Sequence, residues 1–137
     1  MMSGSSNSAA GVLAEMEQAA LATRRRLVEQ GLLVSEAELA SAMGLRTSEL
    51  RLAVSENLLF KLELEGVEYY PAFYAHPAFK RDHLEQVSDV LSTMSGWSKW
   101  AFFMRRNALL DCLSPLEALE LGRLEAVISA AHSYAGR

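Results

Sequence analysis

The chain has 137 residues, of which 50% are hydrophobic and 22% charged. This length and hydrophobic content are enough to bury a core, and they exclude extended disorder over most of the chain. The net charge is −4, with 13 basic and 17 acidic side chains, whereas a free-standing nucleic-acid binder is more often basic.

Composition also sets expectations for location and chemistry. No apolar run approaches the roughly 18 residues that span a bilayer, and the start lacks the blocks of a signal peptide, so we expect a cytoplasmic protein without membrane contacts. The single cysteine, Cys112, excludes an internal disulfide and a multi-thiol zinc site. The three histidines lie far apart in the sequence. We therefore expect no bound metal, no cofactor and no enzymatic activity. The alternative is a small enzyme, which needs a concave site that brings a histidine together with Cys112.

The first predicted elements are a tail and a long helix. Residues 1–8 are rich in serine and glycine, which predicts a disordered tail. A helix is predicted from Ala9 to Gln30, ended by Gly31. Its apolar residues recur near helical spacing: Val12, Leu13, Met16, Ala20, Leu27 and Val28. Such a helix either braces the next motif or pairs with its copy in a second subunit.

Two short helices follow, joined by a tight turn. Ser35 and Glu38 have the spacing of a capping box, so a helix is predicted to begin at Glu36, and Gly44 ends it. Thr47 or Ser48 is predicted to cap the next helix. That helix continues through Leu50, Ala53, Val54, Asn57 and Leu58. This pattern is typical of a helix-turn-helix, whose second helix usually enters the major groove of DNA.

A β-hairpin is predicted next. Apolar and charged residues alternate from Phe60 to Tyr70, and Glu65-Gly66 forms a two-residue turn. Leu64 is then expected to face Val67, and Leu62 to face Tyr69, which gives the hairpin one buried face. Pro71 ends the second strand. The aromatic stretch up to Phe79 predicts an apolar connector packed onto the core.

The remaining residues predict a small helical bundle. One helix is predicted from Asp82 to Thr93, and a very apolar one follows the interruption at Ser95-Gly96. The run Ser114-Pro115-Leu116-Glu117 combines an N-cap, proline at the first helical position and Glu at the third, which predicts a helix start. A last helix is predicted over residues 124–134.

The region from about Trp97 to Gly136 resembles the C-terminal toxin-binding domain of Xre/ParS-type antitoxins. The matching residues are Trp100, Asn107, Leu110, Ser114, Pro115, Leu116, Glu117, Gly122, Glu125 and Val127. Asp111 and Cys112 stand where the family pattern has glycines, and Ser114 replaces a threonine. The resemblance implies that Asn107, Leu110, Ser114, Pro115 and Glu117 belong to a partner-binding surface, and that the partner is a cognate toxin.

The front part resembles the small winged DNA-binding domains of excisionase and MerR type, through its helix pair and the hairpin up to Phe73. Together the two resemblances imply a dimeric autorepressor that also neutralises a toxin, often an NAD-degrading one. Without a toxin, the C-terminal region is an interaction or dimerisation module.

Basic and polar side chains supply the candidate DNA contacts. In the second helix and the hairpin they are Arg46, Thr47, Ser48, Arg51, Asn57 and Lys61. Arg24, Arg25 and Arg26 form a basic turn on the first helix, with Arg24 and Arg25 as phosphate contacts; the alternative is a solvated face with Glu29 as the partner. Residues 35–60 carry two arginines, Arg46 and Arg51, against four glutamates, and carboxylates repel phosphates.

The sequence therefore predicts a mainly α fold: a helix-turn-helix with a short β-hairpin wing over residues 9–75, then a helical interaction domain over residues 76–137. We expect a homodimeric DNA-binding regulator of antitoxin type. The alternative is a protein-interaction module that has lost DNA binding.

Overall fold

A computed structural model describes residues 9–136, and the predicted tail at residues 1–8 lies outside them. The described chain is mainly helical with a small antiparallel sheet. The helices are α1 (Ala9–Glu29), α2 (Glu36–Met43), α3 (Thr47–Ser55), α4 (Arg81–Val90), α5 (Gly96–Met104), α6 (Pro115–Glu120) and α7 (Leu124–Tyr134). The strands are β1 (Leu33–Val34), β2 (Leu62–Leu64) and β3 (Val67–Pro71), and two short 3₁₀ helices cover Ala72–Ala75 and Ala108–Leu110.

Helix α1 spans nearly the predicted range, and little of it packs against the rest of the described chain. None of its residues is buried. Leu27 and Val28, near its end, pack against the core. Val12, Leu13 and Met16 are 42%, 58% and 62% exposed. Within the described residues, the apolar face therefore packs against the core in the last turns of the helix.

Local capping chemistry sets the ends of α2 and α3. The Ser35 hydroxyl accepts from the Glu38 N–H at 3.1 Å, and the Glu38 carboxylate accepts from the Ser35 N–H at 2.9 Å, so the predicted capping box is confirmed. Gly44 ends α2 with φ 70°, a conformation that glycine adopts without strain.

The predicted start and end of α3 are wrong by a few residues. Its N-cap is Arg46, one residue before Thr47, because Glu49 accepts the Arg46 N–H at 2.8 Å. The helix ends at Ser55, and Asn57 has φ 65° rather than a helical angle. Asparagine tolerates this left-handed conformation better than most residues. The turn directs Leu59 and Phe60 into the core.

The hairpin register is as predicted: Leu62 pairs with Tyr69 and Leu64 with Val67. Glu65 and Gly66 both have positive φ, as a type I′ turn requires. Val67 is exposed, so the buried face is narrower than predicted. Strand β1, which the sequence does not predict, pairs with β3 and gives the sheet the order β1-β3-β2.

Aromatic side chains join the two predicted domains in one core. The connector after β3 is short and apolar as expected, with Phe73 and Tyr74 buried. Phe73 stacks on Trp100 at 5.9 Å between ring centres, and Phe60 stacks on Phe103 at 5.9 Å. These contacts cross the predicted boundary between residues 75 and 76.

The last four helices contact one another around Val127 and Ala131 of α7, with α4 and α6 packed on α7 and α5 packed on α6. Helix α4 begins one residue before the predicted Asp82 and ends three residues before Thr93. Ser114 and Glu117 form the second capping box, with Pro115 in the first turn. The predicted bounds of α7 are confirmed.

Candidate functional site

Helix α3 presents one face that no other part of the described chain covers. Leu50 and Ala53 are buried beneath the helix. The exposed residues on its outer face are Thr47, Ser48, Arg51, Leu52 and Ser55. Three of the predicted DNA contacts, Thr47, Ser48 and Arg51, therefore lie together on this surface, which we call the α3 face.

Arg51 is held by a carboxylate from the neighbouring helix. Its Nε and Nη2 donate to the two oxygens of Glu36 at 2.8 and 2.9 Å. The Tyr70 hydroxyl donates to Glu36 as well, at 3.5 Å. Arg51 is the main reason that the pKa of Glu36 is lowered, so this carboxylate stays ionised. The positive charge of the α3 face is therefore already compensated within the chain.

Lys61 has a comparable partner on the hairpin. Its Nζ lies 2.7 Å from a carboxylate oxygen of Glu68, and the hydrogen bond to this group raises the pKa of Lys61. Glu36 and Tyr70 also act electrostatically on Lys61. These residues form what we call the charged network, which connects α2, α3 and the hairpin: Glu36, Arg51, Lys61, Glu68 and Tyr70.

The other two candidate DNA contacts near α3, Arg46 and Asn57, lie at its two ends and differ in exposure. Arg46 is exposed at the start of α3, and among the described residues no carboxylate forms an ion pair with it. Asn57 is half-buried in the turn after α3. Asn57 is therefore not part of the α3 face.

The basic turn of α1 contacts the hairpin and α5. The guanidinium of Arg24 lies 4.1 Å from the ring centre of Trp97, a cation–π geometry. Arg25 donates to both carboxylate oxygens of Glu65, at the hairpin turn, at 2.8 and 2.5 Å. The alternative partner Glu29 acts on Arg25 only through its charge. No short-range spacing in the sequence signals the contacts with Glu65 and Trp97.

The residues predicted to bind a partner have structural roles. Leu110, Ser114 and Pro115 are buried. The side-chain Oδ1 of Asn107 accepts from the Leu109 N–H at 2.9 Å, and the Glu117 carboxylate accepts from the Ser114 N–H at 2.8 Å. The Asn107 and Glu117 side chains therefore cap backbone groups in this segment.

The exposed part of the same region is apolar. Leu109 and Leu121 are 65% and 63% exposed. Arg123 donates to Asp111 at 3.0 Å, and each leucine lies two residues from one member of this pair. Asp111 and Cys112 both have positive φ. This conformation is one that glycine adopts most readily, so the loop keeps a glycine-like path without glycine.

A cavity of about 260 Å³ lies between the connector and α5. Its lining is mostly apolar and includes Phe73, Phe79, Trp100, Met104 and Leu116. His76 is at its edge, where Nδ1 accepts from the Ala78 N–H at 3.0 Å. Cys112 does not line it, so this cavity does not join a histidine with the thiol.

Within residues 9–136, no group of three or more histidine, cysteine or acidic side chains has the arrangement of a metal site. No helix of the described chain is long and apolar enough to cross a membrane. Compared with known proteins, the chain matches no family model, no curated protein and no solved structure.

Proposed function

We propose that the chain is a DNA-binding regulator that uses a winged helix-turn-helix over residues 9–75, followed by a helical bundle for protein contacts. The observation that carries the proposal is the uncovered α3 face, which presents Thr47, Ser48 and Arg51 on one side of a short helix. Hydroxyl and guanidinium groups are common donors to phosphates and base edges.

The order and pairing of the elements support this proposal. Helices α2 and α3 are in contact and are separated only by Gly44, Leu45 and Arg46. The hairpin follows α3 directly, and β1 ties it into a three-stranded sheet. In helix-turn-helix proteins the second helix of such a pair lies in the major groove. Lys61 would then contact the backbone from the hairpin.

The charged network gives the proposed binding a specific energetic requirement. Arg51 must exchange Glu36 for a phosphate or a base, and Lys61 must do the same with Glu68. Glu49 and Glu56 are exposed at the two ends of α3 and repel phosphates. We therefore expect weak binding at physiological salt and a strong increase in affinity as the salt concentration falls.

The test is fluorescence anisotropy with two labelled duplexes of equal length. One carries the sequence upstream of the chain's own gene, as expected for an autorepressor, and the other is unrelated. We expect the affinity to fall linearly with the logarithm of salt concentration, and Arg51→Ala to weaken it about tenfold. Glu36→Gln is expected to tighten binding several-fold, because it frees Arg51 without changing the shape of the side chain.

Matched controls come from the remote ion pair between Arg123 and Asp111. Arg123→Ala and Asp111→Asn make the same charge changes away from α3 and are expected to leave the affinity unchanged. Absence of binding to both duplexes at low salt would contradict the proposal. Equal effects of Arg51→Ala and Arg123→Ala would show that only the overall charge matters.

A second candidate function is a protein-interaction module of antitoxin type that does not bind DNA. Two observations favour it: the compensation of Arg51 and Lys61 by carboxylates, and the exposed Leu109 and Leu121 beside the Asp111–Arg123 pair. Exposed apolar side chains beside a polar rim are typical of partner contacts.

This candidate is tested by co-expression with the product of the adjacent gene, followed by size-exclusion chromatography. A stable complex that is lost in Leu109→Ser/Leu121→Ser and kept in Leu52→Ser supports a toxin or another protein as the partner. Loss of the complex in Leu52→Ser alone would instead assign the contact to the α3 face.

A further inference from the structure

The first two thirds of α1 carry an apolar stripe that no other part of the described chain covers. At 100° per residue, five side chains fall within one strip of the helix surface: Val12, Leu13, Met16, Ala19 and Ala20. All five are exposed. The contacts that hold α1 to the body come from its C-terminal third, through Arg24, Arg25, Leu27 and Val28. We call the five residues the α1 stripe.

Charges on the two sides of the stripe are arranged with opposite signs along the helix. Glu15 and Arg26 lie on one side, and Glu17 and Arg24 lie on the other. On both sides the acidic residue is in the N-terminal half and the basic residue near the C-terminus. Among the described residues, none of these four takes part in an ion pair.

The charges on one helix complement those on a second copy when the two helices run antiparallel. A two-fold axis between antiparallel helices brings equivalent sides together. With the axis level with Ala20 and Leu21, Glu15 of one copy is opposite Arg26 of the other. The same register also sets Glu17 opposite Arg24. In a parallel pair in register, by contrast, the side with Arg26 would meet the side with Arg24 of the other copy, and the arginines would repel each other.

Side-chain sizes fit the same register. Ala19 and Ala20 lie at its centre, where small side chains let two helix axes approach closely. Leu13 of one copy then comes level with Leu27 and Val28 of the other, the residues with which α1 joins the core. The first eight residues of the chain contain no aliphatic or aromatic side chain beyond Met1 and Met2, so they offer no comparable apolar stripe.

We propose that a second copy of this chain covers the α1 stripe, forming an antiparallel α1–α1 pair in which Glu15 meets Arg26 and Glu17 meets Arg24. The proposal is independent of DNA binding. It assigns an interface to the homodimer that the sequence predicts, and it uses no residue of the α3 face.

Sedimentation velocity on the full chain from about 1 to about 200 µM tests the proposal, because a reversible dimer must dissociate on dilution. We expect a dimer whose dissociation constant rises at least about a hundredfold in Leu13→Glu/Met16→Glu, since each substitution acts twice in a symmetric pair. These side chains contact nothing in the core, so circular dichroism and thermal unfolding of the monomer should stay unchanged. Ala14→Glu/Gln18→Glu adds the same charge on the opposite side of α1, at two exposed positions, and should not affect the dimer.

A charge exchange tests the antiparallel register. Glu15→Arg and Arg26→Glu are each expected to weaken the dimer several-fold, and the two substitutions combined are expected to restore it. Failure of the double variant to recover would overturn this register. A wild-type chain that stays monomeric over the whole concentration range, or a dimer that survives Leu13→Glu/Met16→Glu, would overturn α1 as the interface.

Discussion

The aromatic core and the charged network both contain a lysine, yet the two environments shift its pKa in opposite directions. Lys99 on α5 is only 6% exposed, and its ammonium lies 5.7 Å from the ring centre of Phe60. Lys61 is exposed and forms an ion pair with Glu68 at 2.7 Å. Burial lowers the pKa of Lys99, whereas the hydrogen bond to Glu68 raises that of Lys61. The core therefore supplies stability and tolerates a charge, while the network holds its charges near water, where a ligand can compete for them.

The strongest test of this contrast is Phe103→Ala. Phe103 is fully buried and contacts Phe60, Phe73 and Phe102, so its loss leaves a cavity at the junction of the sheet with α5. We expect unfolding to become easier by about 3–5 kcal/mol. Denaturant unfolding followed by circular dichroism measures it. Leu109→Ala, at an exposed position, should stay within about 0.5 kcal/mol of wild type, and a similar loss there would contradict the contrast.

Gly96→Ala is expected to have the next largest effect. A Cβ atom at Gly96 would lie 2.2 Å from the Lys61 carbonyl oxygen, so α5 and the start of β2 must move apart. We expect a destabilisation of about 1–3 kcal/mol in thermal or denaturant unfolding. Alanine normally stabilises a helix relative to glycine, so a gain in stability would show that this close approach is absent.

Lys99→Met should stabilise the chain by about 1 kcal/mol, because methionine keeps the aliphatic packing and removes a poorly solvated charge. The matched variant Lys61→Met removes an exposed charge from a solvated pair, and we expect little change. Differential scanning calorimetry at neutral pH compares the two variants. A larger loss of thermal stability in Lys99→Met than in Lys61→Met would indicate that the buried ammonium has a stabilising partner.

The smallest expected effect is the pH dependence that Glu36 contributes. Its pKa in the folded chain is below the ordinary value of 4.5, mainly because of Arg51. The stability that ionised Glu36 gives to the fold is therefore fully present above pH 4.5. This stability is lost as the pH falls through the lower pKa that Glu36 has in the folded chain. We expect Glu36→Gln to reduce the loss of thermal stability between neutral and acidic pH slightly. An unchanged pH profile would mean that Arg51 stabilises the ionised form too weakly to matter.

Features set by neighbouring residues were predictable from the sequence. Ser35 with Glu38 and Ser114 with Glu117 mark helix starts through hydrogen bonds that span three residues. The Glu65-Gly66 turn sets the hairpin register for the same reason. Strand β1 was not predictable, because two residues are too few to show an alternation of apolar and polar side chains. Its pairing also depends on β3, more than thirty residues away.

The candidate site was predictable only in part. Helical spacing is enough to group Thr47, Ser48 and Arg51 on one face of α3. The partner of Arg51 is Glu36, fifteen residues earlier, and it depends on how α2 crosses α3. Likewise, periodicity identifies the apolar side of α1 but carries no information on which part of the fold covers it. The exposure of Met16 therefore emerged only from the structure.

Trp97 lies where three parts of the chain meet. It belongs to α5, its indole N–H donates to the Glu63 carbonyl oxygen at 2.9 Å, and Arg24 of α1 lies over its ring. Indole emission responds to nearby charge and to solvent, and the only other tryptophan, Trp100, is buried. Trp97 is therefore an intrinsic fluorescent probe. Its emission should change, without any added label, when ligand binding displaces α1 or the hairpin.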